Sequence, residues 1–300
     1  MLIDLKLKLM DFLSSHDVTG LSLLSACTAD YNNRNNIGDE GAEIIKNMIY
    51  DFIHPSLADG LRADCVAYYK VDETSGTRID SSPNHFDMPE IADSPPTPAT
   101  SAVGSIAGKI GNAVQIFDNP TSVQCLGSDA ISIPVINKLT TVCWVKFNSL
   151  TGGNAIPSNN QSFDALNLFT PGFIDVLRCV VAFADVNNKL YLCSYLASTP
   201  TPGSELSPNT WYFCEAIFTL TNTTVAVDLY VNNSLYWSLA PQASTQLQST
   251  PYTIAVAGSP NYLNTSDWIA VDETAIWTRQ LSTAERDYLY NSGNGRTLYD

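Results

Sequence analysis

The segment Val227-Asp-Leu-Tyr-Val-Asn-Asn-Ser-Leu-Tyr-Trp237 contains two short runs of β-branched, aliphatic and aromatic residues on either side of Asn232-Asn233. Such runs favour extended strands, and asparagine tolerates the positive φ angles that a tight turn between antiparallel strands requires. The segment therefore predicts a β-hairpin. A second hairpin is predicted in Phe183-Ala-Asp-Val-Asn-Asn-Lys-Leu-Tyr-Leu192, around Asn187-Asn188.

The same alternation of short strand-forming runs with Gly, Pro, Asn and Ser clusters extends from about residue 63 to the end of the chain. The predicted strands are 65–70, 113–118, 122–126, 139–147, 165–169, 173–184, 189–196, 211–220, 224–231, 234–239, 252–257 and 268–277. Residues 89–105 are rich in proline and are predicted to form a long loop. This pattern predicts an antiparallel all-β domain over residues 63–300.

Residues 1–62 have a different, helical character. The clearest helix is predicted over 39–53, where acidic residues occupy the first turn and His54-Pro55 ends the periodic pattern. Its apolar stripe consists of Ile45, Met48, Ile49, Phe52 and Ile53. Such a stripe must be buried against another surface, either the β domain of the same chain or a second protein. We expect a helical docking segment that binds other proteins or symmetry mates.

One further helix is predicted close to the C-terminus. Ser282-Thr-Ala-Glu285 has the spacing of a capping box, in which Ser282 and Glu285 bond each other's backbone amides. Gly293 is predicted to end this helix in a left-handed conformation.

The charge of the chain excludes several classes of partner. Its 300 residues include 30 acidic and 15 basic side chains, which give a net charge of −15. A nucleic-acid binding protein needs a basic surface, and an anionic membrane repels an acidic protein, so neither partner is expected. The first ten residues interleave charges with leucine and do not form a secretion signal. We expect synthesis in a cytoplasm.

The seven cysteines point to a reducing compartment during folding. Most of them lie in apolar runs, as Cys143 does in Thr-Val-Cys-Trp-Val145, where a thiol packs as a small hydrophobic group. The chain contains no Cys-x-x-Cys motif, so a zinc ribbon or a redox motif is not supported. Buried reduced thiols are therefore predicted rather than a disulfide framework.

Several segments, taken in order, resemble laminin-G-like, concanavalin A-like jelly-roll domains. They are Val66–Gly76 with Asp80–Asn84, Gly108–Phe117, Thr140–Val145, Thr210–Phe213 with Leu229–Asn233, and Val271–Ser282 with Glu285 and Leu289–Gly293. The resemblance covers about residues 63–300. It implies a mainly β, two-sheet antiparallel jelly-roll sandwich, to which this chain adds a short helical N-terminal segment. It does not imply one function, because the family includes sugar binders, adhesion modules and virion surface domains.

The acidic pairs Asp72-Glu73 and Asp272-Glu273 are candidate sites, but their spacing does not favour catalysis. Neighbouring strand residues point to opposite faces, whereas a retaining glycosidase needs two carboxyl groups on one face. The first interpretation is that a carboxylate of each pair binds backbone amides between the chain ends. The second is a structural calcium ion held by Asp80, Asn84 and Asp272, since relatives often bind calcium. No other cofactor is expected.

Aromatic side chains are the better candidates for ligand binding. Tyr252, Tyr262 and Trp268 lie near predicted loops, where an aromatic ring is able to stack on a sugar. The resemblance to jelly-roll domains, the lack of a secretion signal at residues 1–10 and the reduced cysteines lead to one expectation for the whole chain. We expect a non-enzymatic virion protein of a bacteriophage, which displays a lectin-like jelly roll for capsid decoration or adhesion and binds other virion proteins through residues 1–62. A freestanding carbohydrate-binding module is the alternative, and a glycoside hydrolase relative is the weaker one.

Overall fold

The strand-forming runs pair into two antiparallel sheets. The computed structural model describes residues 55–92, 103–116, 124–127, 138–147, 162–169, 176–184, 189–194, 204–221, 223–243, 253–256 and 269–299. Its strands are β1 (Cys65–Tyr69), β2 (Glu90–Ala92), β3 (Val103–Ala107), β4 (Asn112–Ile116), β5 (Gln124–Gly127), β6 (Lys138–Phe147), β7 (Ser162–Phe169), β8 (Val176–Ala184), β9 (Leu190–Cys193), β10 (Trp211–Leu220), β11 (Thr224–Val231), β12 (Ser234–Ala243), β13 (Thr253–Val256) and β14 (Ile269–Trp277). The helices are α1 (Pro55–Ala63) and α2 (Thr283–Tyr290), and a 3-10 turn over Asn291–Gly293 follows α2.

The first sheet has eight strands and the second has six among the described residues. The order in the first is β12-β11-β10-β6-β14-β4-β3, with β1 also paired to β14. The order in the second is β2-β5-β13-β7-β8-β9. The predicted two-sheet antiparallel sandwich is confirmed. β6, which carries Trp144, lies between β10 and β14, and β1 pairs with β14.

The main core lies between the two sheets because each strand turns its apolar residues inward. On β11, Val225, Val227 and Leu229 are buried and alternate with more exposed residues. Residues from both sheets form one apolar cluster, including Cys143, Val145 and Phe147 of β6, Leu166 and Leu168 of β7, and Ile254 of β13. This burial of apolar side chains is the main favourable contribution to the fold.

The outer face of the first sheet is covered by α2 and the segment that follows it. The Tyr290 ring lies 6.1 Å from the Trp144 ring and 5.8 Å from the Phe213 ring. The Arg286 guanidinium lies 3.8 Å from the centre of the Tyr230 ring. Because both faces of β6 are covered in this way, most of the strand is buried and its sequence lacks a clear polar alternation.

Three local predictions, a hairpin turn, a helix cap and a strand pair, are confirmed. The hairpin of β11 and β12 turns at Asn232 and Asn233, whose φ angles of 48° and 64° are the positive values that asparagine tolerates. The capping box of α2 is present, with Ser282 and Glu285 each accepting from the other's backbone amide. β8 and β9 also pair as predicted, with Ala184 opposite Leu190.

Three predictions need correction. Residues 89–105 are not one loop, because β2 pairs with β5 and β3 begins at Val103 and pairs with β4. These short strands lie toward the ends of the sheets, where few apolar residues signal them. α2 ends at Tyr290, and its left-handed cap is Asn291, with a φ of 48°, rather than Gly293. The strand predicted over 165–169 begins earlier, because β7 runs from Ser162 to Phe169.

The chain divides into two compact units, Met1–Gly60 and Leu61–Asp300. Close to the predicted boundary at 62/63 the chain forms α1, which starts at Pro55, a residue that fits the first turn of a helix because no amide donor is needed there. The predicted helix over 39–53 and its stripe of Ile45, Met48, Ile49, Phe52 and Ile53 lie outside the described residues. Among the described residues, no helix is long and apolar enough to cross a membrane.

The cysteines seen in the structure are buried free thiols, in agreement with the sequence prediction. They are Cys65, Cys143, Cys179, Cys193 and Cys214. Burial raises the pKa of the Cys65 thiol to about 12, so it stays in its neutral form. These thiols therefore act as packing groups.

Candidate functional site

Asp272 binds a turn that is distant in sequence. Its Oδ2 accepts hydrogen bonds from the amides of Lys109 (2.7 Å) and Ile110 (3.0 Å), and its Oδ1 accepts from the amide of Glu273 (2.9 Å). The side chain is 0% exposed. Burial raises the pKa of Asp272 to about 7, while the three amide donors oppose the rise. Asp272 is therefore an internal anchor for the segment between β3 and β4.

Asp72 holds the other end of the same segment, which we call the glycine turn (Gly108–Gly111). Asp72 Oδ1 accepts from the amide of Asn112 at 2.7 Å. A Cβ atom at Gly111 would overlap Asp72 Oδ1, and one at Gly108 would lie 2.7 Å from Asp272 Oδ2. The two aspartates thus approach the backbone where only glycine leaves room for them.

Glu273 connects the last strand to the first strand and to the C-terminal segment. It lies in a β-bulge of β14 and has a positive φ of 48°. The Tyr68 hydroxyl of β1 donates to Glu273 Oε2 and accepts from the amide of Leu298 at 2.8 Å. Burial, together with the nearby Asp272 carboxyl, raises the pKa of Glu273 well above its ordinary value. The raised pKa favours the neutral form of this buried acid.

Glu73, the neighbour of Asp72 in the sequence, also accepts a hydrogen bond from a backbone amide. Its Oε1 accepts from the amide of Ile79 at 2.9 Å. Both pairs therefore contain a carboxylate that binds backbone amides, as the first interpretation of the sequence predicted.

Asp80, a predicted calcium ligand, accepts four hydrogen bonds in the loop after β1. Its Oδ1 accepts from the amides of Tyr68 (2.9 Å) and Ser82 (2.8 Å). Its Oδ2 accepts from the Ser82 hydroxyl (2.8 Å) and from the amide of Phe86 (2.8 Å). Protein donors thus use the oxygen lone pairs that a calcium ion would need.

Asn84 and Asp272, the other predicted calcium ligands, make separate contacts. Asn84 Nδ2 donates to the Val66 carbonyl at 2.8 Å, whereas Asp272 holds the glycine turn. Among the residues that the structure describes, no group of three or more His, Cys, Asp or Glu side chains is placed to hold a metal ion. This arrangement gives no support to a calcium site at the three predicted residues.

A cluster of lysine and tryptophan side chains lies on the outer face of the first sheet. Lys146 and Trp211 are partners on β6 and β10, and the Lys146 ammonium lies 4.9 Å from the Trp211 ring centre. The Lys109 ammonium of the glycine turn lies 5.1 Å from the Trp144 ring centre. Partial burial lowers the pKa of both lysines. We call Lys109, Trp144, Lys146 and Trp211 the lysine–indole patch.

This patch was not predicted as a site from the sequence. Alternation along β6 puts Trp144 and Lys146 on one face, but only the register with β10 reveals that Trp211 lies opposite Lys146. The predicted ligand-binding residues Tyr252, Tyr262 and Trp268 lie outside the described residues.

Several solved structures are similar to this chain. The sialidase of Trypanosoma rangeli in complex with 2,3-difluorosialic acid has a TM-score of 0.51 and 11% identity, over 85% of this chain and 40% of the sialidase chain. The binding domain of botulinum neurotoxin serotype D has a TM-score of 0.46 and 12% identity, over 79% of this chain and 53% of that one. The binding domain of Paraclostridial Mosquitocidal Protein 1 has a TM-score of 0.45 and 16% identity, over 78% and 53%.

These similarities concern the fold. No family model and no curated protein matches the chain. The chain spans about half, or less, of the length of the solved chains that it resembles. At 11% identity, the similarity to the sialidase shows a shared β-sandwich, which is a fold that occurs in lectin-like domains.

Proposed function

We propose that this chain is a non-enzymatic, lectin-like recognition protein that binds carbohydrate. The observation that carries the non-enzymatic role is that the acidic side chains of the Asp272-Glu273 pair are buried and hydrogen-bonded inside the fold. Asp272 is 0% exposed and Glu273 is 4% exposed, and both are hydrogen-bonded within the fold. Carboxyl groups held in this way position the backbone of a binding scaffold.

A glycoside hydrolase would need a different arrangement of the same residue types. Retaining enzymes place two carboxyl groups about 5 Å apart on an open face, where both reach the sugar. Asp272 instead faces the amides of Lys109 and Ile110, and Asp72 faces the amide of Asn112. The acids therefore support binding over hydrolysis.

We further propose that the protein is displayed on a virion, with residues 1–62 as the part that binds other virion proteins. The buried free thiols support folding in a reducing compartment. A virion protein folds there and reaches the outside when the host cell lyses, so it needs no disulfides. A freestanding carbohydrate-binding module is the alternative that the same fold allows.

A glycan array with the full-length protein, combined with a hydrolysis assay on every bound glycan, tests the carbohydrate proposal. We expect binding to a limited set of saccharides without release of reducing sugar. Asp272→Asn should lower the unfolding temperature without removing any turnover. Absence of binding to all saccharides would contradict the lectin-like role, and release of sugar that Glu273→Gln abolishes would instead identify an enzyme.

The virion proposal needs its own measurement. Antibodies against the folded protein should label the surface of intact particles in electron micrographs, and particles of a mutant that lacks the gene should show no label. Labelling confined to material outside the particles would favour the freestanding module.

A further inference from the structure

We propose that the lysine–indole patch binds saccharides that carry a carboxylate, with the Lys146 ammonium pairing with the carboxylate and the Trp211 indole stacking against the sugar ring. This inference rests on the proposed carbohydrate-binding function and adds to it a site and a class of ligand. It comes from the side chains that the register of β6 and β10 brings together.

Two members of the patch, Lys146 and Trp211, are accessible from one side of the sandwich, whereas Trp144 is buried beneath Tyr290. Lys146 and Trp211 are half-buried, and they lie at the end of β6 where β10 begins. The loop before β10 is fixed there, since the amide of Asn209 donates to the Phe147 carbonyl at 2.6 Å. Asn209 and Thr210 are exposed beside Trp211 and offer polar groups to sugar hydroxyls.

The charge of the patch selects an anion. The chain has 15 basic side chains against 30 acidic ones, yet two lysines lie against neighbouring indole rings on this face of the sheet. Among the described residues, the salt bridges do not include Lys109 or Lys146. Partial burial lowers the pKa of both lysines from its ordinary value, and a bound carboxylate would stabilise their ammonium form. Lys189 differs, because it already pairs with Glu205 at 2.8 Å.

The indole explains why the anion should be a sugar rather than a free ion. A tryptophan ring offers a flat apolar surface with little loss of side-chain entropy. A contact between an ammonium and an indole at a partly exposed position is weak, so a carboxylate is able to take the ammonium from the ring. The ring face is then available to the apolar C–H face of the saccharide.

The test uses the full chain and a pair of probes that differ only in charge. A galacturonic acid oligosaccharide and its methyl ester are compared by isothermal titration calorimetry, after an array that contains neutral, uronic and sialic saccharides. We expect carboxylated saccharides to bind, and the ester to bind about tenfold more weakly or not at all, because a hydrogen bond to a charged group is lost. If sialic rather than uronic saccharides bind on the array, the same comparison is made with sialyllactose and its methyl ester.

The variants separate this patch from the rest of the surface. Lys146→Gln should weaken binding of the carboxylated probe about tenfold, while Lys189→Gln, which removes the same charge elsewhere, should leave it unchanged. Trp211→Ala should abolish binding and Trp211→Phe should retain most of it. Thermal unfolding checks that each variant folds, and Lys146→Gln decides the result if Trp211→Ala does not fold.

The outcomes distinguish this inference from the proposed function. If neutral saccharides bind as well as carboxylated ones, or if Lys146→Gln behaves as Lys189→Gln does, the assignment of the patch is wrong and the lectin-like role stands. If no saccharide binds, both proposals are wrong.

Discussion

Single carboxyl groups in this protein work as acceptors for backbone amides between distant segments. Asp72 and Asp272 hold the glycine turn from two sides, although 200 residues separate them in the sequence. Each contact requires that the backbone come close to the carboxylate. These close approaches therefore require glycine, which has no side chain, at positions 108 and 111.

Gly111→Ala should destabilise the protein by about 2 kcal/mol or more, because the new Cβ would overlap Asp72 Oδ1 and the residue has a positive φ of 58°. Gly76→Ala is the matched control, since Gly76 has a φ of 76° but no atom lies within 4 Å of the added Cβ. The control substitution should lower the free energy of unfolding by only about 1 kcal/mol. Urea unfolding of both variants measures the difference, and equal losses would show that the contact with Asp72 is unimportant.

At the scale of elements, α2 is a short helix that depends on its cap. It has eight residues, fewer than an isolated helix needs in water, so capping and packing on the first sheet must hold it. Ser282 Oγ accepts from the amide of Glu285, and Glu285 also accepts from Arg279 at 2.6 Å. The cap thus joins α2 to the segment that leaves β14.

Ser282→Ala should lower the free energy of unfolding by about 1 kcal/mol, because the amide at the third helical position loses its partner. Thr283→Ala, one residue later at an exposed position, should change it by less than about 0.5 kcal/mol. Thermal and urea unfolding of the two variants provide the comparison. An equal effect of both substitutions would mean that helix propensity, and not the cap, determines the stability of α2.

For the whole molecule, buried acids couple stability to pH. Burial raises the pKa of Glu215 to about 7 although Arg286 opposes the shift, and burial raises the pKa of Asp272 to about 7. The folded state therefore holds protons that the unfolded chain loses above about pH 4. The resulting stabilisation is fully present below that pH and is lost as the pH rises to about 7.

We expect the free energy of unfolding to fall by about 3 kcal/mol or more between pH 4 and pH 7. Glu215→Gln should flatten this dependence, because a glutamine does not titrate, whereas Glu215 is a buried acid that forms an ion pair with Arg286. Glu205→Gln, at an exposed position, should leave the slope unchanged. Urea unfolding at several pH values between 4 and 7 measures the free energy of unfolding of each variant. A stability that rises with pH would contradict the raised pKa values.

Much of the architecture followed from the sequence because its causes are local. Alternating apolar residues predicted most strands, the Asn-Asn pairs predicted the hairpins, and Ser282 with Glu285 predicted the cap. The positive φ values of Asn232 and Asn233 depend only on their own side chains and on the turn. The resemblance to laminin-G-like domains further predicted the arrangement of these strands in two sheets.

Only the tertiary structure decided what depends on contacts between distant residues. β2 and β3 exist because β5 and β4 supply partners, although their own sequences are short and lie beside a proline-rich segment. Which acids bind which amides depends on the approach of the glycine turn to β14. The pairing of Lys146 with Trp211 likewise requires the register of two strands that 63 residues separate, which no local pattern in the chain specifies.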